Sequence, residues 1–216
     1  MLSIIAASIL PGIFWLWYFN RYDVREKEPL SKIMLCVLTG ALAVLPALIW
    51  EAPFQNLLRA PAGWGQRLLI SFFVVGLGEE FFKLLAVYLA VFRAPEFNEP
   101  IDGIIYSTAA AVGFSVVENV LYISAFGLSI APLRGTIASL AHIAFSGLAG
   151  FYLAKARFTG QSGHLGRGLL AAAFLHGLYD FLLISRLASP FVIVVLVAFA
   201  HYLLLRAIRR AQNALG

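Results

Sequence analysis

Two adjacent glutamates and a lysine interrupt a long apolar stretch near the middle of the chain. Glu79, Glu80 and Lys83 lie within the run 68–92. Charged side chains inside a membrane are costly unless they are paired or face a water-filled cavity, so they indicate a functional site. At about 100° per residue, Lys83 shares a helix face with Glu79 and lies about 60° from Glu80. Lys83 can therefore neutralise one carboxylate and leave the other for acid–base chemistry, whereas a structural ion pair needs only one glutamate.

Further polar residues that could take part in catalysis occur in three later apolar runs. They are Glu118 and Asn119, then His142, and then His176 and Asp180. Because Asp180 follows His176 by four positions, it could orient the imidazole or join it as a ligand. The spacing of the histidines excludes the His-Glu-x-x-His motif of familiar zinc proteases.

Two mechanisms fit this set of residues. Two imidazoles and a carboxylate form the ligand set of many catalytic zinc sites, so His142, His176 and Glu118 could bind zinc or another divalent metal. A remaining carboxylate would then act as the general base. Without a metal, a glutamate could activate water directly while the histidines and Asn119 stabilise the oxyanion. Either version predicts hydrolysis inside the membrane.

The composition indicates that membrane-spanning helices position these residues. The 216 residues are 61% hydrophobic and 12% charged, with a mean hydropathy of +0.87, whereas soluble domains are about half apolar and a quarter charged. Continuous apolar runs exclude an alternating β-barrel pattern, which leaves helices as the way to satisfy the backbone in lipid. We therefore predict an all-α, polytopic transmembrane bundle. The net charge of +5 reflects membrane topology and not nucleic-acid binding, because basic residues cluster at the ends of apolar runs.

Seven apolar runs approach the length of about 20 residues that a bilayer core requires. They are Leu2–Phe19, Ile33–Trp50, Leu68–Phe92, Ile104–Leu128, Thr136–Ala156, Gly168–Leu187 and Phe191–Leu205. No linker, low-complexity tract or repeat divides them, so we predict a single membrane-embedded domain over residues 1–216. The charged loop 20–32 is predicted to be a solvated interfacial loop.

The distribution of lysine and arginine predicts the orientation of the chain. One set of predicted loops and ends carries eleven basic residues, and the opposite set carries four. The four are Arg59, Arg67, Arg134 and Arg186. Because positive charge accumulates on the cytoplasmic side, we predict an outside N-terminus and a cytoplasmic C-terminus.

This topology predicts that the polar residues share one depth in the membrane. Counted from the outer end of each run, Glu79, Glu118, His142 and His176 lie roughly 6 to 12 residues in, or roughly 10–18 Å deep. Four antiparallel helices would place scattered polar groups at one level only rarely. We therefore predict one buried site. His201 lies near the opposite end of its run and is predicted to make a helix–helix contact, and Ser146 lacks the surroundings of a serine nucleophile.

Taken in order, these motifs resemble those of the PrsW family of membrane-embedded proteases, which are distantly similar to type II CAAX prenyl endopeptidases. The resemblance covers most of the chain. It comprises the loop with Asp23 and Glu28-Pro29, Glu79-Glu80-x-x-Lys83, Asp102–Tyr106, Phe114-x-x-x-Glu118-Asn119, His142 and His176–Asp180. Ser107 stands where the family would have a glycine, so the resemblance does not by itself predict close helix packing at that position.

The resemblance implies a metalloprotease of the bacterial cell membrane that cuts a single-pass membrane protein, such as an anti-sigma factor at its outward-facing part during envelope stress. The residues we expect to act fall into four roles. Glu79 and Glu80 supply the general base and its partner. His142 and His176 bind metal or the oxyanion, with Glu118 as a further ligand or proton carrier. Asp180 and Asn119 orient the site, and Lys83 sets the charge of the glutamate pair.

Two other classes of function are compatible with buried charges. A transporter or proton channel would use the Glu, His and Lys residues as a relay, but it predicts polar groups strung across the membrane and inverted repeats. A non-catalytic scaffold would tolerate a substitution such as Glu79→Asp. The grouping of polar residues at one level favours the peptidase.

Overall fold

The computed structural model describes residues 1–214 as helices joined by short loops, with no strand in that range. The helices are α1, Leu2–Asn20; α2, Leu30–Arg59; α3, residues 64–91; α4, Asp102–Phe126; α5, Leu128–Thr159; α6, Gly163–Ser185; and α7, Pro190–Asn213. Six of the seven are long and apolar enough to cross a membrane, and α3 differs from them because it carries Glu79, Glu80 and Lys83. The all-helical membrane architecture is confirmed. The number of spans and the orientation of the termini stay predictions.

Several helices extend beyond the apolar runs that predicted them. α6 begins at Gly163, five residues before the predicted run at Gly168, so His164 lies in its first turn. α7 continues to Asn213, well past the predicted end at Leu205. Helical hydrogen bonds satisfy the backbone in the polar interface as well as in lipid, so the end of an apolar run does not mark the end of a helix.

Helix α4 forms the centre of the bundle. Its first half, residues 102–115, is buried on every face, and it packs against α1, α2 and α5. Small residues permit this close packing: a Cβ added to Gly113 would lie 1.9 Å from the Val37 carbonyl oxygen of α2. Against α5, Gly150 faces Gly103 and Ser107. The glycine missing at position 107 is therefore compensated by the one at position 150, and α4 and α5 still pack closely.

Three irregularities adjust the helices near the polar residues. Helix α2 is interrupted after Leu42, because Pro46 cannot donate the backbone hydrogen bond to that residue and its ring crowds the carbonyl. Helix α3 is π-helical over Leu69–Leu77, immediately before Glu79, and α5 is π-helical over Arg134–Ala138. A π turn holds more residues than an α turn, so it rotates the side chains that follow it, and such turns are frequent at functional sites.

The loop between α1 and α2 is solvated only in part, since residues 24–27 are exposed as predicted but two of its acids are buried. Asp23 is 0% exposed and Glu28 only 8% exposed. The Glu28 backbone N–H donates to Asp23 Oδ2 at 2.8 Å, and the Tyr106 hydroxyl of α4 donates to Glu28 Oε2. The prediction was wrong for these two acids because the fold turns them towards the N-terminal end of α4, where burial and hydrogen bonding replace solvation.

Protonation of Glu28 should make the stability of the protein depend on pH. Burial, with smaller contributions from the nearby Asp102 and Asp23, raises the pKa of Glu28 from 4.5 to about 8. Between these values the folded state retains a proton that the unfolded state loses, so stability falls as the pH rises from about 4.5 to about 8. The slope for one such group is at most about 1.4 kcal/mol per pH unit. Thermal unfolding in detergent across this range should therefore show a falling melting temperature that is flatter in Glu28→Gln; equal slopes in both proteins would contradict the prediction.

Candidate active site

Four helices bring the polar residues of the apolar runs into one buried cluster. The contributions are Glu79, Glu80 and Lys83 from α3, Glu118 and Asn119 from α4, His142 from α5, and His176 and Asp180 from α6. The rings of His142 and His176 lie with their centroids 5.0 Å apart and their planes nearly perpendicular. The predicted shared depth therefore corresponds to real contact between helices that are distant in sequence.

Glu80 is the fully engaged member of the glutamate pair. Its Oε1 lies 2.5 Å from Lys83 Nζ and 2.9 Å from His176 Nδ1, and its Oε2 accepts a hydrogen bond of 2.8 Å from the Ser146 hydroxyl. All four side chains are buried. Both oxygens of Glu80 are thus occupied, which suits a residue that orients its neighbours and not one that binds a water molecule.

Glu79 lies beside this network but is not satisfied by it. Its Oε2 has no hydrogen-bond partner among the described residues, although the side chain is buried. The nearest groups to this oxygen are Lys83 Nζ at 3.6 Å, His176 Nε2 at 3.8 Å and His142 Nδ1 at 3.9 Å. A buried carboxylate oxygen without a donor is rare and calls for a ligand or a water molecule at that point.

A second unsatisfied carboxylate oxygen, on Asp180, faces the imidazole of His176. Asp180 Oδ2 lies 3.4 Å from His176 Nε2 and, within residues 1–214, lacks a hydrogen-bond partner. Since Nδ1 of His176 faces Glu80, its Nε2 is directed towards the two free oxygens of Glu79 and Asp180. Two acceptors therefore converge on one ring nitrogen.

His142 is held between α3 and α4 by both of its ring nitrogens. Nδ1 lies 3.2 Å from Lys83 Nζ, and Nε2 lies 2.8 Å from Glu118 Oε2. An ammonium group has only donors, so Nδ1 carries the lone pair in this arrangement. Glu118 also pairs with Arg134, whose Nη2 is 2.7 Å from the same oxygen. Glu118 is thus engaged on the far side of the His142 ring from Glu79.

Asn119 supports the site from the side of α5. Its Oδ1 accepts a hydrogen bond of 2.9 Å from Arg134 Nε, and its Nδ2 donates to Ser139 Oγ at 3.0 Å. Within residues 1–214 its side chain forms no hydrogen bond with either histidine, so its position suits a residue that connects α4 to α5.

A cleft of about 780 Å³ leads from the cluster towards the loops at one end of the bundle. Glu79, His142, His176 and Asp180 lie at its base. Its walls combine apolar and polar side chains, among them Leu58, Arg59, Tyr122, Phe126, Arg134 and Tyr179. Such a cleft is within the size range of known ligand sites and opens the cluster to a substrate.

The arrangement of Glu79, His142 and His176 suits a divalent metal ion. One ligand atom from each lies within 4.8 Å of the other two. Neighbouring nitrogen or oxygen ligands of a tetrahedral zinc are about 3.4 Å apart, so separations of 3.8 and 3.9 Å from the Glu79 oxygen require only a small contraction. The unsatisfied oxygen of Glu79 is the donor such an ion would need.

Two features of the site were not predicted from the sequence. Arg134 was counted only as a marker of topology, and no spacing rule relates it to Glu118 on another helix. Ser146 was discounted as a nucleophile, although its position four residues after His142 places both on one face of α5. His201, by contrast, packs against Tyr18 and Phe19 on α1 and takes no part in the cluster.

Comparisons with known proteins identify the family that the chain resembles. Residues 28–205 match a family described as PrsW family intramembrane metalloprotease. The chain is 37% identical to a protein named Protease PrsW from Geobacillus kaustophilus, over 86% of this chain and 82% of that protein. Proteins of the same name from Clostridioides difficile and Bacillus subtilis are 34% and 30% identical, over 81% and 99% of this chain and 75% and 97% of their own lengths. No solved structure matches.

Proposed function

We propose that this chain, which belongs to the PrsW family of intramembrane metalloproteases, cuts a membrane-anchored protein at the base of the cleft described above. Hydrolysis requires a site where water, a carboxylate and an electrophile meet. The free Oε2 of Glu79, buried between Nδ1 of His142 and Nε2 of His176, marks that point and is the observation that carries the proposal.

The residues present divide into those that hold the reacting groups and those that orient them. Glu79, His142 and His176 would hold the metal, and zinc suits this donor set. When bound, the metal supplies Lewis-acid polarisation of the scissile carbonyl and of the attacking water. Glu118 was the expected third ligand, but its oxygen is taken by His142 Nε2 and Arg134, so we assign that role to Glu79.

Proton transfer then falls to Asp180. Its free Oδ2 lies at the base of the cleft beside His176. It can accept the proton of the attacking water and pass it to the leaving amine. Glu80 keeps His176 in the tautomer that carries hydrogen on Nδ1, and Lys83 compensates the charge of Glu80.

One contact favours a second, metal-free version of the mechanism. Lys83 Nζ lies 3.2 Å from His142 Nδ1, and that nitrogen can accept a hydrogen bond or bind a metal but not both. In the metal-free version Glu79 takes the proton of the water, and His176 donates to the oxyanion from Nε2 when that nitrogen carries hydrogen, whereas His142 Nδ1 accepts from Lys83 and cannot donate. The metal content of the protein decides between the two.

The residues that line the cleft also indicate from which side of the membrane a substrate would enter it. It extends to Arg59, Phe126 and Arg134, which lie in regions that the distribution of basic residues predicts to be outside. We therefore propose an outside N-terminus, a cytoplasmic C-terminus and a substrate cut near its outward-facing part. A single-pass anti-sigma factor fits this class of substrate.

Metal analysis tests the proposed site directly. We expect about one zinc per chain in the detergent-purified wild type, measured by elemental mass spectrometry, and its loss in His176→Ala together with cleavage of a model peptide. Chelation should abolish cleavage, and added zinc should restore it.

An Asp180→Asn variant separates binding from catalysis in the same assay. It should retain zinc and lose most of its rate, because the amide cannot accept the proton. Peptide cleavage by a wild-type protein that holds no metal would reject the metal-dependent version, and a purified protein that cuts no membrane-anchored substrate would count against the proposal as a whole.

A further inference from the structure

We propose that Arg134 is a positioning residue for His142 and acts on it through Glu118. This inference rests on the proposed function, because it concerns how one histidine of that site is oriented. It assigns a role to a residue on α5 that touches neither Glu79 nor His176 in the hydrogen bonds and ion pairs of the described chain.

The guanidinium of Arg134 is held in one place by three contacts to α4. Nη2 donates to Glu118 Oε2 at 2.7 Å, and Nε donates to Asn119 Oδ1 at 2.9 Å. The Tyr122 ring lies 4.1 Å from its central carbon. A planar guanidinium can bind two acceptors and stack on a ring at once, and a lysine ammonium cannot reproduce all three contacts.

A closed ring of hydrogen bonds connects this side chain to its own backbone. Asn119 Nδ2 donates to Ser139 Oγ at 3.0 Å, and Ser139 Oγ donates to the carbonyl oxygen of Arg134 at 3.1 Å. The π-helical segment Arg134–Ala138 lies between the two ends of this ring. The wide π turn brings both Arg134 and Ser139 to Asn119 on α4, which explains why the π-helical segment occurs at this place.

Glu118 connects the fixed guanidinium of Arg134 to His142. The oxygen that accepts from Arg134 also lies 2.8 Å from His142 Nε2. A carboxylate only accepts, so the imidazole presents N–H to Glu118 and its Nδ1 lone pair to the region between Lys83 and Glu79. Partners of this kind fix the tautomer and ring orientation of a catalytic or metal-binding histidine. Without Arg134, Glu118 keeps its bond to His142 but loses its own anchor, so the constraint on the orientation of His142 is weakened.

Arg134 also lies on the wall of the cleft, so it could instead anchor a carboxylate of the substrate. The structure favours the positioning role, because Nε and Nη2 are already committed to Glu118 and Asn119. The two roles differ in their kinetic consequences: an anchor changes KM, whereas a positioning residue changes kcat.

The test compares Arg134→Gln and Arg134→Lys with Arg186→Gln, a matched control at an exposed arginine on the α6–α7 loop. We expect Arg134→Gln to lower kcat for peptide cleavage about 10- to 100-fold, with KM nearly unchanged. Arg134→Lys should recover part of this loss, and Arg186→Gln should behave as wild type. Zinc affinity, measured by competition with a chromogenic chelator, should fall in parallel with kcat.

A double-mutant cycle identifies the route of the effect. If Arg134 acts through Glu118, the double variant Arg134→Gln/Glu118→Gln should be no slower than Glu118→Gln alone, because the second change removes nothing further. Independent effects that multiply would show that Arg134 acts elsewhere and would overturn the inference.

Other outcomes are equally decisive. A raised KM with unchanged kcat would make Arg134 a substrate anchor, and unchanged kinetics in both variants would remove it from the site. If Arg134→Gln does not fold, Arg134→Lys decides by the same criteria, since an undiminished kcat there would contradict the inference. A wild type that neither cuts peptide nor binds zinc would refute the proposed function itself, whereas a working wild type with an equally active Arg134→Gln would refute only this inference.

Discussion

A Glu79→Gln variant should fold at least as stably as the wild type and yet lose peptide cleavage by about 10²- to 10⁴-fold. The stability expectation follows from the surroundings of Oε2, which is buried without a hydrogen-bond donor in the described structure. Removing this buried charge relieves a desolvation penalty that Lys83, 3.6 Å away, offsets only in part, and Lys83 keeps its closer partner Glu80 at 2.5 Å. The loss of activity follows because both versions of the mechanism need this carboxylate, either as a ligand or as the base.

Thermal unfolding in detergent and cleavage of a model peptide measure the two properties separately. Glu79→Asp is the sharper control, because it keeps the charge and withdraws the oxygen by about one bond length. A displacement of about 1 Å can reduce the rate about 100-fold, so a catalytic carboxylate should not tolerate this change, whereas a helix-packing charge should. Full activity in either variant would show that Glu79 takes no part in the reaction.

The neighbouring Glu80→Gln substitution should have the opposite effect on stability. Both Glu80 oxygens are bonded, and the buried Lys83 ammonium depends on this carboxylate as its closest partner. Removing one partner of a buried ion pair costs up to about 3–5 kcal/mol, and here Lys83 would keep only the more distant Glu79 carboxylate at 3.6 Å. Activity should fall as well, by about 10- to 100-fold, since His176 loses the acceptor of its Nδ1–H.

The double variant Glu80→Gln/Lys83→Met separates these two effects. Taking out both charges should recover part of the lost melting temperature, because the core no longer holds an ammonium whose remaining partner is the Glu79 carboxylate at 3.6 Å. It should not recover peptide cleavage, since His176 is still without its carboxylate. If the double variant melts no higher than Glu80→Gln, the ion pair is not what holds this part of the bundle together.

These opposite expectations arise from tertiary contacts and not from the sequence motif. Glu79 and Glu80 are adjacent and chemically identical, and helical geometry placed Lys83 within reach of both. The structure separates them by their neighbours on α5 and α6: Glu80 bonds to Ser146 and His176, whereas Oε2 of Glu79 lies between two imidazoles at 3.8 and 3.9 Å.

The sequence alone determined the class of the molecule and the composition of its polar cluster. Continuous apolar runs of bilayer length require helices, since a lipid environment leaves the backbone few other ways to satisfy its hydrogen bonds. The cost of burying charge singled out Glu79, Glu80, Lys83, Glu118, His142, His176 and Asp180. The common depth of these residues predicted that they meet, because the rise per residue of a helix is constant.

The tertiary structure decided how these residues are used. The rotation of one helix against another determines whether a carboxylate is paired or free and which ring nitrogen of a histidine faces the cleft. It also brings Arg134 within reach of Glu118. Two π-helical segments alter that rotation beside the site, and the regular period used to read the sequence cannot register them. The buried acids Asp23 and Glu28 show the same limit, since a charged loop reads as solvated until the fold supplies its partners. Periodicity describes a helix by itself, whereas the chemistry of this site arises from contacts between helices.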